Sequence, residues 1–176
     1  ADSSDDKIFE WTDMLNTKEG YEPRSITVTP KGFYWFNDDG QCYSLDIPNG
    51  KPKKEPFKAP KLKNLRCTYF NEKIFTFGGV NGYSKDAWSL DTTRMDSEWN
   101  LEATMPIALK KPSVACFSNK LYLFGGEAST GPSVKTLVFD PIYSKWEILK
   151  DMPGICTDGA VVALNDKIYV IGMGLD

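Results

Sequence analysis

An all-β fold assembled from repeated four-stranded units is predicted for this 176-residue chain by three observations. Short runs of aromatic and β-branched residues recur along it, separated by Gly, Asn, Asp and Pro turns, the pattern of a sandwich, barrel or radial sheet array. A helical apolar period is absent apart from a weak one at residues 8–15. The string Lys120-Leu121-Tyr122-Leu123-Phe124-Gly125-Gly126 has counterparts forty-seven residues to either side: Lys73-Ile74-Phe75-Thr76-Phe77-Gly78-Gly79 and Lys167-Ile168-Tyr169-Val170-Ile171-Gly172-Met173. A fixed period of that size marks units that bury their apolar faces only against one another, and the equal spacing selects a β-propeller.

The elements follow in order. Residues 1–7 are an acidic tail, and 8–14, carrying Phe9, Trp11 and Met14, read as a lone strand able to complete the last unit across the ring. The first unit, about 25–60, has strands at 25–29, 32–36 and 41–46, with Asn37-Asp38 in place of a glycine pair and no Trp in its fourth strand. The second, 65–106, reads as strands 66–70, 73–77, 87–91 and 98–101, with a turn at Asn71-Glu72, a loop through Asn81-Gly82-Tyr83, and Trp99 in the last strand. The third, 112–153, repeats this at 113–117, 120–124, 135–140 and 145–149, with Trp146 forty-seven residues after Trp99. A partial unit at 159–176 supplies strands 160–164 and 167–171. The glycine pairs are expected to allow positive φ and close backbone approach, and the Trp residues to plug the space between adjacent units.

Composition narrows the chemistry. The chain has no His, which removes the commonest general base and metal ligand, and no cofactor or metal is expected. Its formal charge of −3 and pI near 5.1 argue against the chain as a whole binding nucleic acid. No run approaches a membrane span, and the acidic start, Ala1-Asp2-Ser3-Ser4-Asp5-Asp6, is unlike a signal peptide. Without an initiator Met, the chain is expected to begin inside a longer product or after processing. Cys42, Cys67, Cys116 and Cys156 lack metal or redox spacing and are expected to be buried reduced thiols, fitting a cytoplasmic or cytoskeletal location.

Two other motifs are read as structural. Asn37-Asp38-Asp39-Gly40 has no distal acid in register for a calcium loop and is expected to form a type I′-like turn. The glycine-rich stretch 78–82 lacks the Lys-Ser/Thr of a phosphate loop. Segment 51–66 is different: Lys51, Lys53, Lys54, Lys58, Lys61, Lys63 and Arg66 stand against Glu55 alone, with three prolines preventing a helix. It is either a solvated outer strand with its connector or a patch for an acidic partner surface.

The glycine pair, Tyr83 in the following loop, an Asp-ended third strand and a downstream Trp together resemble kelch repeats from roughly residue 8 to the C-terminus. The resemblance implies a kelch-type β-propeller with about three and a half four-stranded blades in this chain, completed by further blades or another chain. Strand direction places the loops that enter first strands and those that leave second strands on one face. In kelch propellers that face carries the ligand, commonly a peptide segment of another protein. The entering loops offer Arg24, Asn64, Arg66, Lys111, Ser113 and Asp158. Those leaving offer Asn37, Asp38, Asn81, Tyr83, Ser129 and Thr130. With Lys53 and Lys54 of the basic segment, these are the candidate partner-binding residues, Arg and Tyr being the natural hot spots. The implied function is non-catalytic recruitment of a protein, either actin or a peptide degron read by a ubiquitin-ligase adaptor. The alternative is part of a kelch-fold enzyme such as a sugar epimerase or oxidase, although a chain without His lacks the usual copper ligands.

Overall fold

The computed structural model describes residues 24–37, 39–48, 50–59, 65–79 and 83–172. The expected tail at 1–7 and strand at 8–14, with Asp38, Asn64, Asn81 and Met173, lie outside the described residues. Among the described residues the structure is all-β: three four-stranded antiparallel sheets, a terminal hairpin and a small loop hairpin. The first sheet runs β1 (Ser25–Thr29), β2 (Gly32–Phe36), β3 (Gln41–Asp46) and β4 (Lys53–Lys58) in spatial order. The second runs β5 (Arg66–Phe70), β6 (Lys73–Phe77), β7 (Ala87–Asp91) and β8 (Asn100–Leu101). In the third, β9 (Ser113–Phe117) pairs with β10 (Lys120–Phe124), and the order continues through β13 (Thr136–Asp140) to β14 (Lys145–Ile148). The intervening β11 (Glu127–Ala128) and β12 (Gly131–Pro132) form the loop hairpin, and β15 (Ala160–Leu164) pairs with β16 (Lys167–Ile171).

Local chemistry sets these boundaries. Asn71 and Glu72 (φ 47° and 62°) and Ser118 and Asn119 (φ 47° and 61°) are left-handed pairs, the two-residue geometry that matches the twist of a hairpin. The third strands β7 and β13 stop where an aspartate folds back. The Asp91 carboxylate accepts from the Thr93 hydroxyl and amide at 2.6 and 2.8 Å, which holds its carboxyl below the usual range. Asp140 accepts from the amides of Ile142 and Tyr143 at 3.0 and 3.2 Å.

Several details depart from the sequence expectation. The turn after β2 is not type I′-like: Asp39 is not left-handed, Gly40 is (φ 75°), and the Asn37 side chain accepts from the amides of Asp39 and Gln41. An Asx turn followed by a glycine satisfies the donors that two left-handed residues would otherwise have arranged. The strand expected at 98–101 keeps only Asn100–Leu101. Strand β4 accommodates Pro56 because it is the outermost strand of its sheet, where a missing amide breaks no central ladder.

The sheets step in sequence, with β1 beside β5, β5 beside β9, and β9 beside β15. The first two intervals each hold an apolar cluster. Phe36, Cys42 and Phe57 of the first sheet meet Cys67, Ile74 and Leu90 of the second. Phe75, Phe77 and Ala87 on the opposite face of the second sheet meet Leu121, Leu123, Leu137 and Phe139 of the third. A sheet packed on both faces needs apolar side chains at consecutive positions, which explains why β6 reads Ile-Phe-Thr-Phe without polar alternation. Hairpin β15–β16 is the contrast: Val162, Leu164, Tyr169 and Ile171 are all exposed, as are Ile26 and Val28 at the other end of the series.

The two matched tryptophans plug these intervals as expected. Trp99 packs on the first cluster with Phe36 at 5.9 Å, and Trp146 on the second with Phe139 at 4.8 Å. Their polar ends differ. Trp146 Nε1 donates to the Ala103 carbonyl at 2.7 Å, whereas buried Trp99 Nε1 has no partner among the described residues. All four cysteines are free, Cys42, Cys67 and Cys156 buried and Cys116 half-buried.

The expected glycine requirement is met at Gly78 and Gly125. Both are left-handed (φ 67° and 62°), and a Cβ would strike the Leu109 carbonyl oxygen at 2.5 Å in one case and that of Cys156 in the other. Gly125→Ala is therefore expected to lower unfolding free energy by roughly 2 kcal/mol or more, strain and backbone collision combined. Gly131→Ala, at a positive φ of 119° but with nothing within 4 Å of the added Cβ, carries the backbone strain without a collision and should cost less, and a larger loss there than at Gly125 in denaturant titrations would refute the collision argument. Trp146→Phe should cost about 1 kcal/mol more than Trp99→Phe, because only the former forfeits a hydrogen bond and orphans an acceptor; chemical unfolding of the two variants checks this.

Candidate functional site

The innermost strands β1, β5, β9 and β15 begin around one cavity of about 300 Å³. Arg24, just before β1, lines it with Ser25 and Ile26 of β1, Arg66 and Cys67 of β5, Ser113 and Val114 of β9, Gly159 just before β15, and Val161 of β15. Their convergence follows from register. Ser25, Arg66, Ser113 and Ala160 are each paired with the last residue of the second strand, Phe36, Phe77, Phe124 and Ile171 respectively, so the four occupy one repeat position.

Hydroxyls at this level stitch neighbouring sheets. Ser25 Oγ accepts from the Cys67 amide at 2.9 Å, and Thr27 Oγ1 accepts from the Tyr69 amide at 2.7 Å. At the third interval Ser113 Oγ donates to the Gly159 carbonyl at 2.7 Å. These bonds satisfy first-strand backbone groups that have no strand partner on their inner side.

The rim is held by paired loops. Leu109 donates to the Ser84 carbonyl at 3.1 Å, and Lys110 and Glu127 exchange both backbone bonds at 2.8 and 2.9 Å. Tyr83, exposed, lies beneath the Lys110 ammonium, 4.1 Å from its ring centroid, a cation–π contact that fixes both side chains at the rim. Lys110 and Glu127 were not among the sequence candidates. The signal available for them was the repeat spacing of the glycine-pair loop, which hid the short β11–β12 hairpin.

Charge is concentrated here. Arg66 Nη2 contacts Asp158 Oδ1 at 2.7 Å, and Lys111 Nζ contacts Asp158 Oδ2 at 3.3 Å. Two cations thus share one carboxylate there, and Arg24 lines the cavity beside Arg66. Cys67 is the one thiol lining the cavity among the described residues, and burial pushes it up to about 12, so at neutral pH it is protonated and a poor nucleophile. Among the described residues no cluster of three His, Cys, Asp or Glu side chains could hold a metal ion, and no helix is long and apolar enough to cross a membrane.

The structure thus brings Arg24, Arg66 and Ser113 to one cavity and joins Lys111 to Arg66 through Asp158, while Tyr83 packs against Lys110, the residue before Lys111. It does not bring Lys53 and Lys54 to them. Both lie on β4, three strand spacings from β1, a distance of about 14 Å across the sheet. Lys53 is engaged there with buried Glu55 at 3.3 Å, which also accepts from Ser44 Oγ at 2.5 Å. Asn64 and Asn81 lie outside the described residues.

No family model matches this chain, and no curated protein matches it. Among solved structures it is similar to that of YjhT, with a TM-score of 0.58 and 23% identity over 66% of this chain and 35% of that one. The chain therefore spans about a third of the YjhT structure, and at this identity the likeness concerns the fold.

Proposed function

We propose that this chain is a non-enzymatic protein-binding module that takes an acidic segment of a partner at the mouth where the inner strands begin. Its sheets are read as blades of a kelch-type propeller, and the exposed faces of β15–β16 and β1 as surfaces covered by further blades or by another chain. One observation carries the binding reading: Arg24 and Arg66, from two different sheets, line one cavity, and Lys111 of a third sheet shares with Arg66 the Asp158 carboxylate beside it. Cations gathered from separate elements form a patch complementary to negative charge, and such patches govern association rate and partner choice. A protonated thiol and the absence of His favour binding over catalysis at this mouth.

A second reading, docking on filamentous actin through the outer strand, is favoured by exposed Lys53, Lys54 and Lys58. The two separate in solution. Fluorescence anisotropy with a labelled hexaglutamate peptide should show binding that weakens with salt and falls by roughly tenfold in the Arg66→Ala, Lys111→Ala double variant. Arg94→Ala, which removes an exposed ion pair with Asp96 at the opposite end of β7, should leave it unchanged. Salt-insensitive binding, or none, would sink the mouth reading. Pelleting with filamentous actin that depends on Lys53 and Lys54 would favour the second.

The covering of the exposed faces is tested by light scattering after size exclusion. This chain alone should self-associate with rising concentration, since Val162, Leu164, Tyr169 and Ile171 form an exposed apolar strip on the terminal hairpin. A stable, dispersed monomer would overturn it.

A further inference from the structure

We propose that Asp158 is a built-in competitor of the ligand: its carboxylate occupies, within the chain, the cationic subsite that an acidic side chain of the partner takes on binding. This inference rests on the mouth reading above and adds the regulation of that site. Three observations support it.

The first is geometry. Asp158 divides its two oxygens between Arg66 and Lys111, at 2.7 and 3.3 Å, as an incoming glutamate or aspartate would. The second is position. Lys111 and Asp158 stand forty-seven residues apart, each two residues before its first strand, and both are left-handed (φ 47° and 53°). They are the same site of the repeat carrying opposite charges, so the reversal at Asp158 is a local feature of the last unit. The third is exposure. Asp158 is 56% exposed, so its bonds to Arg66 and Lys111 are those of a solvated pair that a competing carboxylate can displace at small cost.

The consequence is a filter. A lone carboxylate must displace Asp158 for little net gain, whereas a segment carrying several holds further carboxylates beside Arg66 and Lys111 while one of them exchanges with Asp158, which raises the effective concentration. Asp158 thus sets a threshold of ligand charge rather than an absolute preference.

The test uses the whole chain and the labelled hexaglutamate peptide. Asp158→Asn keeps a residue type well suited to a left-handed backbone and removes the charge. It should tighten the peptide's Kd roughly threefold to tenfold, the range expected when two exposed ion pairs no longer have to open first. Asp158→Lys, which installs the residue that the preceding repeat carries at this site, should tighten it further, and thermal unfolding verifies that both variants fold. Unchanged or weaker binding in both folded variants, while Arg66→Ala still weakens the wild-type interaction, overturns the competitor role and leaves the mouth reading standing. If neither wild type nor either variant binds the peptide, both fall.

Discussion

The close approach of one sheet's glycine exit to the next sheet's entering backbone is the constraint on which the rest depends. Gly78 lies against the Leu109 carbonyl and Gly125 against that of Cys156, forty-seven residues later in each case. The same step recurs in hydrogen bonding, where the Gly126 amide donates to the Cys156 carbonyl at 2.7 Å. Only a residue without Cβ, in a left-handed backbone, permits this spacing. Because Lys111 and Asp158 follow Leu109 and Cys156 by two residues, the glycine contact also decides where those charges stand.

Around that step the intervals are filled by two complementary means. Apolar side chains from facing sheets interlock, Phe77 and Phe139 at 6.3 Å with Trp146 edge-on to Phe77, and supply the bulk of the burial free energy. Polar groups then fix alignment. Ser25 and Thr27 accept from β5 amides, and Ser144 Oγ donates to Glu102 at 2.9 Å across the second interval. Glu102 also receives the Ser89 hydroxyl at 2.6 Å, so one carboxylate joins two strands of its own sheet to the next. Directional bonds of this kind set register, while the apolar contacts tolerate sliding.

The mouth inherits its character from this architecture. First strands converge, so charged residues far apart in the chain meet: Arg24 and Arg66 line one cavity, and Lys111 and Arg66 share Asp158. Ion pairs at such a rim contribute little to stability, and their arrangement is accordingly open to being set by recognition instead. The outer strand β4, although richer in lysine, presents its charges singly along an edge, with Glu55 drawn back into the sheet.

How far the chain itself announced this can be judged residue by residue. Strand pairs β5–β6, β9–β10 and β15–β16, their two-residue turns, the glycine requirement and the interval-filling role of Trp99 and Trp146 were legible, because each depends on neighbours in sequence or on a repeat that sequence displays. The shortening of β8, the β11–β12 hairpin and the Asx turn at Asn37 were not, since competing local hydrogen bonds decide them. Nor was the pairing of Asp158 with Arg66, ninety-two residues earlier. Sequence by itself determined which side chains repeat and in what order, since periodicity is a property of the chain. Tertiary structure alone decided which charges meet, since that depends on the angle and spacing at which separate sheets step past one another.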